Sequence, residues 1–408
     1  MSGADLDLPR LPPAPLPPPV STVGLVAWLR RNLFNSLVST VTTILLGALL
    51  LLVAIAAAQW LLNARWGVVT DNLRLLLVGQ YDPSELWRVW LDLAILSVLT
   101  GLTAARGSSP LRTLTTWLAA GQLLLGLLIL TSDMGPLAAS SMLVNAGFVW
   151  LGYFVGLRVA LSPRALSIAW LAFIVIAVVL LQGIPGSPLK VVPSLSWGGL
   201  LLTFLLAIAG IVLSFPFGVL LALGRRSDLP VVRALCTAFI EIVRGVPLVT
   251  ILFMAAIMLP LFLPGALRID AVLRAIGGIT IFSAAYVAEN VRGGLQAIPS
   301  GQIEAANAIG LNAIQRNLYI VLPQALRSVI PANVGLFISL LKDTTLVFIA
   351  GLGLLELLGI GSSVLSRPEW FGARLEVYVF ISAVFFVLCY TMSQASYRLE
   401  AAMGVGKR

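Results

Sequence analysis

Long uncharged apolar stretches restrict the folds open to this chain more than any other feature. Of its 408 residues, 59% are hydrophobic and only 11% are charged. So few charges cannot cover the surface of a water-soluble protein of this length, so we expect lipid to be the solvent. In lipid each backbone N–H and C=O must be paired inside its own segment, and a crossing takes roughly 20 residues as a helix. The apolar stretches are therefore predicted to be transmembrane helices.

Ten such stretches can be placed, and they predict an all-α polytopic helical bundle. They are 38–62, 86–105, 111–131, 141–161, 165–183, 197–223, 232–263, 271–294, 328–357 and 376–398. The 328–357 stretch exceeds one bilayer crossing, so we expect it to bend or break near Lys342 or at Gly351 to Gly353.

Basic residues accumulate on alternate connections, and this asymmetry predicts the orientation. Counted from a cytoplasmic N-terminus, the cytoplasmic side carries Arg10, Arg30, Arg31, Arg106, Arg112, Arg158, Arg164, Arg225, Arg226, Arg233, Arg292, Arg316, Arg327, Arg398, Lys407 and Arg408. The opposite side carries Arg65, Arg74, Arg88, Lys190, Arg268, Arg274, Arg367 and Arg374. Both termini are thus predicted to be cytoplasmic. The net charge of +9 indicates topology and attraction to anionic lipid rather than nucleic-acid binding.

Several kinds of chemistry are excluded by the residues themselves. The chain has no histidine, and its two cysteines, Cys236 and Cys389, both lie in apolar stretches, which excludes a disulfide framework or a zinc cluster. The tail 404–408 does not form a phosphate-binding loop. We therefore expect no enzymatic activity and no bound metal or cofactor.

One polar segment, residues 298–323, interrupts the apolar sequence between two predicted spans; we call it the knob. Pro299 favours a helical φ, Ser300 is the predicted N-cap, and Glu304 is expected in the first turn. Gly310 is expected to end this short helix. A second short helix, capped by Asn312, is expected to run to Leu322 before Pro323.

The knob resembles the EAA loop of permease subunits of bacterial ABC importers, the element that inserts into the ATPase subunit. Four flanking segments are similar to the polar amino-acid branch of that family: 244–248, 286–294, 322–327 and 340–346. The N-terminal half resembles extended permeases of general L-amino-acid importers in layout. The chain is on these grounds identified as a member of the histidine/glutamine permease-like family.

The resemblance implies a division of the chain. It predicts a cytoplasmic leader 1–36, a membrane extension 37–194 of about five helices, a permease core 195–403 of five helices, and a tail 404–408. In the knob it implies ATPase docking through Glu304, Ala305, Ala306, Gly310 and Leu311. The partners implied are an ABC ATPase dimer that holds ATP and Mg²⁺, a second permease subunit, an extracytoplasmic amino-acid-binding protein and the lipid bilayer of the bacterial inner membrane.

Charges inside the predicted spans point to a translocation path, because an unpaired charge in hydrocarbon costs about 2.5–3.5 kcal/mol on insertion scales. Lys342 and Asp343 lie in apolar sequence beside Thr344 and Thr345. We expect the four to border the path near the middle of the bilayer, where an amino acid's two charges need counter-charges. The alternative is an ion pair that fixes helix packing.

A second charged group lies toward the cytoplasmic ends of two spans. Glu241 and Arg244, like Glu289 and Arg292, are three residues apart on one helix, so each pair shares a face. They are interpreted either as an inner gate of the path or as structural pairs. Tyr286, one turn from Glu289, is expected to add a hydroxyl to the path, unless it only packs.

Four further interpretations can be checked in the structure. Glu356 and Asp270 are expected to face water or an external binding protein. Asp92 is expected to pair with Arg88. The loop 63–85, with Trp66, Tyr81 and Trp87 nearby, is expected at the outer membrane interface, where its aromatic side chains anchor at the headgroup level rather than bind ligand. The Pro-rich stretch 8–20 is expected to be an extended leader.

Together these features predict the transmembrane permease subunit of an ATP-driven amino-acid uptake system. It would form the translocation path and couple to separate ATPase subunits. Two alternatives remain at this stage: an ion-coupled secondary amino-acid transporter and a non-transporting membrane scaffold.

Overall fold

A computed structural model describes residues 24–107, 109–132, 134–159, 161–264 and 268–403. The Pro-rich stretch 8–20 and the 404–408 tail lie outside the described residues, whereas residues 24–36 of the predicted leader are described and include the helix Leu25–Asn32. The helices are α1 Leu25–Asn32, α2 Leu37–Asn63, α3 Gly67–Thr70, α4 Leu73–Val78, α5 Leu86–Arg106, α6 Ser109–Leu130, α7 Gly135–Arg158, α8 Pro163–Gln182, α9 Gly199–Arg225, α10 Pro230–Arg244, α11 Leu248–Phe253, α12 Leu259–Phe262, α13 Ala271–Gln296, α14 Ser300–Ala308, α15 Ala313–Arg316, α16 Leu322–Asp343, α17 Leu346–Ile349, α18 Leu357–Leu365 and α19 Arg374–Met403. Short 3₁₀ turns at Pro83–Glu85, Ser194–Ser196 and Pro368–Trp370, and π-helical turns at Met254–Met258 and Asn317–Val321, complete the described elements.

The all-α membrane fold is confirmed. In the described residues, nine helical stretches are long and apolar enough to cross a membrane, and a bent pair makes a tenth. The bent pair joins Pro230–Arg244 to Leu248–Phe262 at an angle of 104°. Pro247, extended at ψ 143°, causes the break because it cannot continue the helix from Arg244.

The predicted span 328–357 was wrong in its boundaries. The helical stretch runs from Ala313 to Asp343, and Pro323 lies inside it, just after the π-helical turn Asn317–Val321, rather than at its start. The helix ends after Asp343, as expected for a break near Lys342. Gly351 and Gly353 then turn the chain with φ of +73° and +72°.

The chain divides into two compact units, Met1–Ala64 and Arg65–Arg408. The described part of the first unit contains α1 and α2, which are linked where the Thr43 hydroxyl donates to the carbonyl of Leu33 at 2.9 Å. Ser36 begins α2 with a capping box that it forms with Ser39.

In the second unit, glycines let α5 and α7 approach closely. A Cβ added at Gly101 would lie 2.1 Å from the carbonyl oxygen of Val149, and one at Gly152 would lie 2.3 Å from that of Val98. Small residues allow such contacts between membrane helices, where there is no hydrophobic driving force for association. Two polar contacts join neighbouring helices to α5: Gln122 donates to Ser97 at 2.8 Å, and the Trp170 indole donates to Thr103 at 3.0 Å.

Residues 65–82, which we call the cover segment, pack on the end of the bundle where α9 begins. Val68, Leu73 and Leu76 are fully buried in a cluster that also contains Trp197 and Leu357. Gly79 meets Gly198 so closely that a Cβ on Gly79 would lie 2.4 Å from the Gly198 Cα. The cover segment is thereby joined to residues of α9 and α18.

Polar contacts also hold the cover segment. The backbone N–H of Arg65 donates to Glu376 at 3.0 Å, and Arg367 donates to Asn72 at 3.0 Å. Tyr81 is fully buried and donates to the carbonyl of Leu181 at 2.9 Å, and its burial raises its pKa to about 12. The expectation that Tyr81 anchors at the membrane interface was wrong, because packing against the bundle removes it from the surface.

Two further expectations about charges were wrong. Arg88 pairs with Glu85 at 2.8 Å and donates to the carbonyl of Lys190 at 2.8 Å, whereas neither oxygen of buried Asp92 has a hydrogen-bond partner in the described residues. Glu356 does not face water: it is fully buried and caps α18, accepting from the backbone N–H groups of Leu358 and Gly359 at 2.9 and 3.0 Å.

Asp270 remains exposed, as expected, and caps α13 by accepting from the backbone N–H of Val272 at 2.8 Å. The Ser194 hydroxyl also donates to its carboxylate.

Candidate coupling and translocation site

The knob contains the predicted short helix, with a shifted start. Pro299 is the N-cap and Ser300 the first helical residue, without a side-chain cap. The prediction that Ser300 caps the helix and that Glu304 lies in its first turn was therefore wrong by one position, because Pro299 is extended at ψ 139°. Gly310 ends the helix with φ +80°, a conformation that suits glycine.

The second half of the knob is continuous with a membrane span. Asn312 caps α15 through a capping box with Gln315, as expected for the cap. The separate helix expected to end at Leu322 was wrong, because α15 continues through the π-helical turn into α16. The knob is thus joined by a continuous helical stretch to Lys342 and Asp343.

The predicted docking residues do not share one surface. Glu304, Ala305 and Gly310 are exposed and Leu311 is half-buried, but Ala306 is only 2% exposed. The backbone N–H of Leu311 donates to the carbonyl of Ala306 at 3.2 Å, which closes the turn over it. Ala306 therefore faces the inside of the knob, and the docking role of all five residues stays a prediction.

Sequence reasoning missed three apolar side chains on the knob. Ile309, Ile314 and Tyr319 are 73%, 71% and 69% exposed. Their position in a polar segment outside the apolar core of the spans was the available signal, since exposed apolar groups in water mark interaction sites.

A cluster of charges surrounds Glu289 on α13, toward the end of the bundle that carries the knob. Its carboxylate contacts three arginines: Arg225 of α9 at 3.4 Å, Arg244 of α10 at 3.5 Å, and Arg292 on its own helix. The Arg292 Nε donates to Glu289 Oε1 at 2.9 Å. Glu241 pairs with Arg225 at 2.9 Å rather than with Arg244. One carboxylate thus links three helices.

The cluster carries more positive than negative charge. Three arginines face two glutamates, and the Arg244 Nε is buried without a hydrogen-bond partner in the described residues. The Glu289–Arg292 pair predicted from spacing is present, but Glu241 does not pair with Arg244, and sequence reasoning missed Arg225, which is 64 residues from Glu289. The position of Arg225 at the end of α9 indicates membrane orientation, but it does not predict a contact with Glu289.

Tyr286 lies beside this cluster. The guanidinium of Arg244 sits over its ring at 5.6 Å, within the range of a cation–π contact. Its other neighbour is Phe282, with ring centroids 4.8 Å apart. The ring of Tyr286 therefore orients Arg244, and its hydroxyl role in a path stays a prediction.

Lys342 and Asp343 lie apart from this cluster, at the end of α16. Among the described residues they form no ion pair with each other, and Thr344 and Thr345 donate back to the carbonyls of Leu341 and Lys342 at 2.7 and 2.8 Å. The adjacent Leu340 packs against Gly210, close to the middle of the 27-residue α9. The path role of these four residues stays a prediction.

Comparisons with known proteins show which family this chain belongs to. Residues 214–402 match the model of the binding-protein-dependent transport system inner membrane component family. The chain is 37% identical over 425 residues to the glutamate/glutamine/aspartate/asparagine transport system permease BztC of Rhodobacter capsulatus, covering 95% of both chains. The chain belongs to the amino-acid ABC transporter permeases. It is accordingly a multi-pass inner-membrane protein and the permease subunit of an ABC uptake system.

Two other relatives match about half of this permease. The inner membrane amino-acid ABC transporter permease YhdY of Escherichia coli is 46% identical over 219 residues, 54% of this chain and 59% of that protein. The probable glutamine permease GlnP of Bacillus subtilis is 35% identical over 204 residues, 50% of this chain and 91% of that protein. A crystal structure of an amino acid ABC transporter with histidines shares 29% identity, with a TM-score of 0.44, over 50% of this permease and 92% of that chain.

Proposed function

We propose that this permease takes up acidic amino acids or their amides, driven by separate ATPase subunits that dock on the knob. The observation that carries the proposal is the charge cluster around Glu289, which links three helices near the knob and has one excess positive charge. The substrates named for the Rhodobacter relative all carry a side-chain carboxylate or amide. Guanidinium groups hydrogen-bond such groups well.

The orientation belongs to the same proposal. The knob lies in the cytoplasm, with both termini, and the cover segment faces outward. The excess of basic residues on the knob side supports this orientation. A second permease subunit completes the path, because each ATPase of a dimer needs a knob.

The division of the chain at residue 195 is likewise part of the proposal. Residues 37–194 form an extension and 195–403 a core. Its support is that the family model matches residues 214–402 and that a permease of the family can be about half as long as this chain. ATP and Mg²⁺ are bound by the partner ATPase and not by this chain.

In the proposed path, a substrate released by an external binding protein first meets Lys342 and Asp343, with Thr344 and Thr345 beside them. It then passes the cluster of Glu289, Glu241 and Arg244, next to Tyr286. Movement of the knob reaches the first site through the continuous α15–α16 stretch and the second through α13, which ends four residues before α14 begins. Both sites are therefore mechanically connected to the ATPase.

A charge reversal and a bulky substitution on the knob test whether the ATPase docks there. In proteoliposomes with the ATPase, the second permease and the binding protein, Glu304→Lys and Ala305→Trp are expected to abolish most ATP-driven uptake and to reduce ATPase co-purification. Both side chains are exposed, so the fold should survive. Glu369→Lys, an exposed glutamate outside the knob, is the matched control.

The outcomes separate docking from transport. Normal uptake and normal ATPase co-purification in both knob variants would disprove the docking role. Uptake by this chain alone, driven by an ion gradient, would instead indicate a secondary transporter. Asp343→Asn with normal assembly and normal uptake would remove Asp343 from the path.

A further inference from the structure

A charged cavity lies between the cover segment and the core, at the end of the bundle opposite the knob. Its volume is about 350 Å³, and its lining includes Thr70, Asp71, Asn72, Arg74, Met134 and Arg367. Arg74 belongs to the cover segment and Arg367 follows α18 in the core, so the two parts of the permease build the cavity together.

One of the two arginines is held in place. Arg367 is exposed, and it donates to the Asn72 Oδ1 at 3.0 Å. Asn72 is 3% exposed and its amide donates to the carbonyl of Val68 at 3.0 Å, so the acceptor itself is fixed. The other N–H groups of Arg367 remain available for a ligand.

The second arginine has no acceptor among the described residues. Arg74 is half-buried and makes no hydrogen bond or ion pair with any residue that the structure describes. The carboxylate of Asp71 accepts from the hydroxyl of Thr70 at 3.0 Å. The cavity therefore presents two guanidinium groups against one carboxylate, and a planar carboxylate is the partner that guanidinium geometry fits best.

We propose that this cavity receives an acidic side chain of the extracytoplasmic amino-acid-binding protein and so aligns it on the permease. The proposal rests on the proposed function, in which this end of the bundle faces outward. Complementary charges at a docking surface speed encounter and fix orientation. Arg74 and Arg367 come from different parts of the chain. The binding protein can therefore contact both only when the cover segment is packed on the bundle.

The test uses the complete complex in nanodiscs with the amino-acid-binding protein that supports its uptake. Arg74→Glu is expected to raise the binding-protein concentration for half-maximal ATPase stimulation by roughly tenfold at low salt, with much less effect at high salt. Basal ATPase activity should not change. Arg74→Lys is expected to give an intermediate half-maximal concentration, because lysine keeps the positive charge but lacks the planar guanidinium group.

Arg374→Glu, an exposed arginine that does not line the cavity, provides the matched control for net charge. An acidic residue on the binding protein whose reversal to arginine restores the affinity of Arg74→Glu would support the contact directly. Equal effects of Arg74→Glu and Arg374→Glu would overturn it.

Two other results would also overturn the proposal. One is loss of direct L-glutamate binding in Arg74→Glu, measured calorimetrically without binding protein, with docking unchanged. That result would assign the cavity to free amino acids. The other is an unchanged docking affinity in all the variants. Absence of ATP-driven uptake in the unaltered complex would instead count against the proposed function.

Discussion

Arg225 of α9 lies 3.4 Å from Glu289 of α13, although 64 residues separate them in the sequence. Arg225 also pairs with Glu241, so it connects the end of α9 to both α10 and α13. Glu289 is seven residues from the end of its helix, roughly 10 Å along the axis. A force on the knob therefore meets this ionic connection before it reaches the middle of the bundle.

Removing the shared carboxylate should uncouple the helices. In Glu289→Gln, three arginines face one remaining glutamate. We expect uptake to fall by more than about tenfold and stability to drop by about 1 kcal/mol, a small figure because these side chains are partly exposed. Uptake in proteoliposomes and melting in detergent measure the two effects. Glu369→Gln is the control, and equal behaviour of the two variants would contradict the connection.

The contact between α5 and α7 should tolerate no side chain at Gly152. A Cβ there would lie 2.3 Å from the carbonyl oxygen of Val98, whereas one at Gly147 of the same helix would meet nothing within 4 Å. We expect Gly152→Leu to lower stability by about 1–3 kcal/mol or more, because the backbones must separate. Gly147→Leu should melt like the unaltered protein. Equal melting temperatures for the two variants would exclude the close packing.

Buried Glu356 should make stability depend on pH. Burial raises its pKa from 4.5 to about 7, against the effect of hydrogen bonds from Leu358 and Gly359. Because the folded pKa lies above the unfolded one, the folded state binds the proton more tightly. Stability is fullest below about pH 4.5 and falls as pH rises toward 7, by about 3 kcal/mol at most.

Melting temperatures at pH 5 and pH 8 measure this dependence. Glu356→Gln should reduce the difference between the two, since an amide does not titrate. Asp82→Asn is a suitable control, because Asp82 pairs with Lys190 and its pKa is lowered instead. An unchanged pH difference in Glu356→Gln would show that Glu356 does not titrate in this range.

Asp92 should cost the protein stability. Both its oxygens are buried without a hydrogen-bond partner among the described residues. Asp92→Asn is expected to stabilise by about 1–3 kcal/mol, because an unpaired polar group becomes less costly when it cannot ionise. Arg88→Ala should have the opposite effect, since it removes the ion pair with Glu85 and leaves that carboxylate only the Trp87 indole as a partner. A lower melting temperature for Asp92→Asn would indicate an unrecognised partner of Asp92.

The membrane helices could be predicted because lipid leaves few alternatives to a helix for an apolar stretch. The ends of the spans could not, because they depend on local hydrogen bonds: Pro323 lies inside α16, and the Thr344 hydroxyl donates back to Leu341 at the end of that helix. The Glu289–Arg292 pair followed from spacing on one helix. The contact with Arg225 required the packing of α9 on α13, which spacing cannot supply.

The orientation of side chains was equally beyond the sequence. Ala305 and Ala306 are adjacent and identical, yet only Ala306 is buried, because the turn to Leu311 folds over it. Arg88 and Asp92 are one turn apart, but Arg88 faces Glu85 and the carbonyl of Lys190. In both cases tertiary packing determines the orientation of the side chain, which helical geometry alone does not specify.

The packing of the cover segment determines what a truncation of the N-terminal half would do to the rest of the protein. Because Val68, Leu73 and Leu76 occupy a shared hydrophobic cluster with Trp197 and Leu357, deleting the first 190 or so residues would not yield a smaller, self-sufficient transporter. It would expose apolar side chains, Trp197 and Leu357 among them, at the point where α9 begins. For this protein, the cover segment is a structural partner of the helices that follow it.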